Sequence, residues 1–161
     1  MDLLNPEYLI RVFLVFVRIS GFFLAAPFFG HASVPVRVRI LLAVILAYAL
    51  SGLVTSPLPA RVEHSFGLMA SVGIEALTGA ALGFAAQFIF WAVQYAGELL
   101  GFQMGLSLAE VFDPSQGTNA NPLGRLLGWI FLLAFLLFDG HHYVLTALVG
   151  SFQALPLAGA H

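Results

Sequence analysis

Cysteine is absent from these 161 residues, so neither a disulfide nor a thiolate metal site is open to the chain. Charge is scarce as well. Acids and bases together make up 9% of the sequence, the six basic residues are all arginine, and the formal net charge is −2. Without a basic run, nothing points to a nucleic acid or an anionic lipid surface as partner. Proline is missing from Arg61 to Asp113, which leaves one long stretch with no obligatory helix breaker. Motifs of catalysis are missing too: no nucleophile elbow, no Gly-rich loop after a strand and no paired carboxylates. An enzyme is not expected, and neither is a cofactor.

What the chain has in quantity is apolar surface. Apolar residues make up 60% of it, with sixteen phenylalanines, against roughly 45–50% in a typical soluble protein. So little polar material cannot cover a water-exposed shell. The composition predicts an all-α integral membrane protein of four to five apolar helices, one of them long and bent, forming a single domain over residues 1–161. Asp2 and Glu7 precede the first base, Arg11, which is the wrong polarity for a cleavable signal peptide, so the first apolar segment is expected to remain.

Tyr8 to Phe29 is apolar and long enough to cross a hydrocarbon layer as a helix. Arg11 lies near its end, where it can reach the interface, but Arg18 lies in the middle and on the same face. The segment's Leu, Ile, Val and Phe residues favour insertion by roughly 4–8 kcal/mol, and a central arginine opposes it by about 2.5–3.5. Arg18 is therefore expected either to bind backbone or headgroups at shallow depth or to pair with an acid on another helix or subunit. After Pro27, Gly30 and Pro35, the connection from His31 holds Arg37 and Arg39, a weak sign that it faces the cytoplasm. Ile40 to Val54 reads as a second helix. Leu123 to Phe138 and a segment from His141 to Leu155 follow later, joined by the turn Asp139-Gly140.

Ser65 to Gly105, taken as one straight helix, would run about 60 Å, twice the hydrocarbon thickness. It must break or protrude, and Gly97, Gly101 and Gly105 are the places for a bend. At 100° per residue it separates into two faces. One collects Ala76, Gly79, Ala80, Gly83, Gln87, Gln94, Gly97, Glu98, Gly101 and Gly105, with Phe90 as a bulky intruder and Glu75 at the margin; the other is aromatic, with Phe84, Phe88, Trp91, Tyr95 and Phe102. Small residues four apart let a second backbone approach closely. Gly79, Gly83, Gln87, Gln94, Glu98 and Gly101 are accordingly candidates for subunit packing, with packing inside the chain an equal alternative.

Arg18 and Glu75 are the candidate buried charges. Acids at membrane depth are usually paired or functional, and for Glu75 and Glu98 pairing is favoured over a proton relay. His141 and His142 are neighbours, which on a helix point to different sides, so no metal site is expected there. The one long polar interruption begins near Gly105. Met104, Leu106, Leu108, Val111 and Phe112 keep its leading edge apolar up to Asp113-Pro114, while Gly117 and the Asn-Ala-Asn-Pro122 run give a polar return limb. A solvated loop would be polar throughout, so this one is expected to lie against something apolar.

The runs Gln94-Tyr-Ala-Gly-Glu-Leu-Leu-Gly101, Gln103-Met-Gly-Leu-Ser-Leu-Ala-Glu-Val-Phe-Asp-Pro114, Asp139-Gly-His-His142 and Ser151-Phe-Gln-Ala-Leu-Pro156 strongly resemble the FliR family of flagellar export-gate proteins. Phe16-Val-Arg-Ile-Ser-Gly21, Ala26-Pro-Phe-Phe-Gly30 and Val34-Pro-Val-Arg-Val-Arg39 resemble it too. The T subunit of virulence type III secretion is a relative of that family. The resemblance implies a non-enzymatic gate subunit of the bacterial inner membrane, at the flagellar basal body. With FliP- and FliQ-like subunits it would form a channel for unfolded flagellar proteins, and the re-entrant loop 105–122 would plug it. The sequence departs from the family where it stops after Leu155-Pro156, since members continue into a C-terminal helical hairpin. Contacts made through that hairpin, chiefly with a FliQ-like subunit and an FlhB-like switch protein, are not carried over. The competing reading is a small-solute or ion transporter with Arg18, Glu75 and Glu98 as a midplane site.

Overall fold

Asn5 opens the first helix. Its side-chain oxygen accepts the Glu7 N–H at 3.1 Å, Pro6 sits in the first turn where its missing N–H is not needed, and Glu7 lies at the positive end of the helix dipole. In the computed structural model this helix, α1, spans Pro6–Ala25. Ala26 then turns extended (φ −70°, ψ 140°), the conformation favoured before a proline, so the helix stops short of Phe29. The structure describes residues 5–27, 35–52, 54, 58, 62, 64–105 and 121–159, and among these every regular element is helical.

Four more helices follow: α2 at Val36–Ser51, α3 at Ser65–Gln103, α4 at Pro122–Leu137 and α5 at Gly140–Ala154, with a short turn at Leu157–Gly159. The helix α2 begins before Ile40 because Pro35, itself extended, serves as its cap. That places Arg37 and Arg39 in the first turn, at the end of the dipole that disfavours cations. Helix α3 runs 39 residues without interruption, through Gly97 and Gly101. Two of its hydroxyls are satisfied within the helix: Ser71 donates to the Gly67 carbonyl and Thr78 to that of Ile74, each at 2.8 Å. By length and apolar character α1 and α3 can each cross a membrane, and α4 and α5, bent by 70° at their junction, could form a third, broken span.

The chain divides into two compact units, with boundaries inside α3 and α5: Met1–Ala86 with Val144–His161, and Gln87–Tyr143. In the first, Leu14, Val15, Ile19, Phe22 and Phe23 of α1 meet Ala43 and Ala47 of α2, together with Leu148, Phe152, Leu157 and Ala158. The alanines keep α2 close to α1, and the Tyr8 hydroxyl lies 3.2 Å from that of Ser51, so the start of α1 meets the end of α2. The second unit is built from the rest of α3 packed on α4. Phe90, out of place among small residues in the sequence, is buried there and stands edge-on to Phe131 and Phe135, with ring centroids 4.8 and 5.3 Å away. Phe84, Phe88, Trp91, Tyr95, Leu99 and Phe102 are all exposed.

Candidate functional site

The first unit buries two charged side chains as completely as its apolar core. Arg18 and Glu75 are 1% and 0% exposed and form an ion pair, with Arg18 Nε donating to Glu75 Oε2 at 2.5 Å. The remaining hydrogen bonds go to backbone groups and to one serine hydroxyl of the same chain. Arg18 donates from one terminal nitrogen to the Ser151 carbonyl (3.1 Å) and hydroxyl (3.2 Å), and from the other to the Leu155 carbonyl (2.9 Å). Its guanidinium carbon lies 4.3 Å from the centre of the Phe152 ring. The Ser151 carbonyl also accepts the Leu155 N–H at 2.8 Å, so Arg18 gives it a second hydrogen bond, and Arg18 supplies a donor to the Leu155 carbonyl just past the end of α5, where a cation is favoured. Beyond that end Ala158 adopts the left-handed region (φ 58°), costly for a residue with a Cβ, and Glu75 Oε1 accepts its N–H at 2.8 Å. The pair therefore caps α5 and holds the turn after it. A buried charge left alone costs several kcal/mol; here each charge has an opposite partner and backbone dipoles of the right sign. Chemically this is a fastener, because the polar atoms that could receive a solute are already engaged.

No local pattern points to Ser151, Phe152, Leu155 or Ala158, since Arg18 lies 133 and 137 positions from Ser151 and Leu155. Glu98 is an exposed residue of the other unit and takes no part in this cluster.

Glycines set the distances around the fastener. A methyl group on Gly79 would fall onto the Arg18 carbonyl oxygen; one on Gly83 would lie 2.5 Å from the Phe22 carbonyl oxygen, and one on Gly21 2.5 Å from that of Ala76. Helices α1 and α3 thus touch backbone to backbone. The second unit repeats the device. A methyl group on Gly97 would lie 2.6 Å from the Gly124 Cα, and one on Gly101 would overlap the Asn121 side chain. Gln94 and Glu98, exposed at their outer edges, overlie Gly124 and Gly128, and Gln87 is half-buried. Gly79, Gly83 and Gly101 thus have close neighbours within the chain, as the intrachain alternative of the sequence analysis expects.

Of the residues assigned to the plug, Leu106, Leu108, Val111, Phe112, Asp113, Pro114 and Gly117 lie outside the described residues. Met104 and Pro122 flank them; both are exposed, and Gly105 has φ 74°. Asn121 is buried, accepts the Leu123 N–H at 3.0 Å as the cap of α4, and packs on Gly101. The last turn of α3 and the first of α4 are therefore locked together at the base of the 105–122 stretch.

One local expectation fails. The His141 and His142 rings do not diverge: their centroids are 4.4 Å apart at an interplanar angle of 35°. Asp139, at φ 55°, ends the link from α4, and its backbone carbonyl accepts the His142 N–H at 2.8 Å, so the two histidines start a helix where side chains have room to turn toward each other.

Apolar helices of membrane-crossing length, joined at glycines around a sealed ion pair, define a membrane-type helical protein. Residues 9–161 match the family described as bacterial export proteins, family 1, and the chain belongs to that family. It is similar to the flagellar biosynthetic protein FliR of Escherichia coli (strain K12), 39% identical over 146 residues that cover 89% of this chain and 54% of that protein. FliR of Bacillus subtilis (strain 168) is 39% identical over 144 residues, 89% of this chain and 55% of that one. FliR of Pectobacterium carotovorum subsp. carotovorum is 36% identical over 160 residues, 98% and 59%. The chain spans little more than half the length of these relatives.

Proposed function

We propose that this chain is a non-enzymatic subunit of the flagellar protein-export gate, seated in the bacterial inner membrane at the flagellar basal body. With FliP- and FliQ-like subunits it forms a channel for unfolded flagellar proteins, and residues 105–122 close that channel at rest. The observation that carries the reading is the family match, which runs through nearly the whole chain and reaches relatives named as flagellar biosynthetic proteins. Two features of the fold support it. The aromatic face of α3 is exposed along its length and suits lipid or neighbouring subunits. The contact of Gly101 with Asn121 gives the 105–122 stretch a fixed base, as a plug needs. The solute-transport alternative loses support because Arg18 and Glu75 bind each other and the chain's own backbone.

The test is conductance through gates assembled from the full-length protein and its partners in a planar bilayer. Phe112→Ala, or deletion of Ser115 to Ala120, should raise the resting leak several-fold over the unmodified gate. A leak that does not change removes residues 105–122 from the role of plug.

A further inference from the structure

The corner between α4 and α5 gathers a second group of side chains that the export reading does not use. Asp139, His141 and His142 each bring one ligand-type atom into a cluster whose members all lie within 4.8 Å of one another. Asp139 Oδ1 stands 3.5 Å from His142 Nδ1, and both side chains are largely exposed, so the cluster is open on one side. His141 is less exposed, and its Nδ1 is buried without a hydrogen-bond partner. The spacing exceeds that of a filled site, where donors about 2.0–2.2 Å from one ion sit roughly 3–3.5 Å apart. Closing the difference takes side-chain rotation, for which the exposed Asp139 and His142 have room, since the two rings already stand together. The strained backbone at Asp139 (φ 55°) is what starts α5 at this position, and Asn tolerates the same region.

We infer that Asp139, His141 and His142 form a binding site for one divalent transition ion of borderline softness, Zn2+ or its surrogates Co2+ and Cu2+. Two imidazoles and one carboxylate match the ligand preference of these ions and leave one or more positions for water or for a group from another chain. Hard ions such as Mg2+ and Ca2+, which take oxygen ligands, are not expected to bind. The ligand set lies wholly within one unit, so the site does not depend on partner subunits or on the export role.

The experiment uses the purified full chain in detergent, without a polyhistidine tag. Titration with Co2+ should develop visible absorption that saturates at one equivalent, with a dissociation constant in the micromolar range, and Zn2+ should bleach it. His142→Ala and Asp139→Asn should each weaken binding tenfold or more, while His64→Ala leaves it unchanged. Copper(II) bound at one equivalent should show two nitrogen ligands by electron paramagnetic resonance, a readout on the unmodified chain that does not rely on variants folding. Absorption that never saturates, equal affinity in His142→Ala and the unmodified chain, or a copper spectrum with fewer than two nitrogens would each overturn the site.

Discussion

Helix α3 takes part in both units and meets its neighbour at glycines in each, yet what fills the space beside those glycines differs. In the first unit Gly79 and Gly83 bring α3 onto α1, and the space is taken by Arg18 and Glu75, bound to each other and to the end of α5. In the second, Gly97 and Gly101 bring α3 onto α4, and the filler is Phe90 against Phe131 and Phe135. Glycine fixes how near two backbones come; it does not say which elements belong together. Rings packed edge to face tolerate some sliding, whereas charges tied to named carbonyls and one N–H accept a single arrangement. The first unit should therefore be the more brittle of the two.

The sharpest way to break that contrast is to remove one charge. Arg18→Ala or Glu75→Ala leaves the other buried and unpaired, at a cost of about 3–5 kcal/mol, large beside the whole stability of a typical domain. Thermal unfolding followed by circular dichroism in detergent should show the loss. Exchanging the two, Arg18→Glu with Glu75→Arg, should not restore it. The exchange would turn a carboxylate toward the Ser151 and Leu155 carbonyls and a guanidinium toward the Ala158 N–H. Recovery in the exchanged protein would mean that the charges matter only to each other and that the capping role assigned here is wrong.

Part of this was legible beforehand. The five helices stand where the apolar segments place them, within a few residues, because prolines and capping asparagines act locally. The separation of α3 into a small face and an aromatic face follows from helical periodicity alone. An arginine amid an apolar helix announces a need for a partner. Which acid it meets does not follow from spacing, since Glu75 lies 57 positions away, and backbone groups as partners leave no mark in the side-chain pattern. The paired imidazoles were misjudged for another reason. The rule that neighbours on a helix diverge holds in its middle, and His141 and His142 stand at its first turn, beside a left-handed Asp139.

A smaller effect sharpens the comparison. In the first unit a methyl group on Gly79 meets the backbone of α1, which cannot step aside; in the second, one on Gly128 lies 3.3 Å from the flexible Gln94 side chain. Gly79→Ala should cost about 3 kcal/mol, the upper end of overpacking penalties, and Gly128→Ala under about 1. Equal losses in matched melts would show that the two interfaces are equally stiff, against the distinction drawn above.

The mildest change probes the base of the loop. Asn121 does two things at once: its oxygen caps α4 through the Leu123 N–H, and its side chain packs on Gly101. Asn121→Ala removes both and should cost about 1 kcal/mol in global stability, the usual worth of a cap. Asn121→Asp keeps an oxygen for the cap and should recover most of that. Amide exchange at Leu123 and at the last turn of α3 separates the two roles, because a lost cap exposes only α4, whereas a lost tie frays both helices. Fraying confined to α4 in the alanine variant would mean that Asn121 does not join the two ends, and the 105–122 stretch would then lack the fixed base on which the proposed stopper role depends.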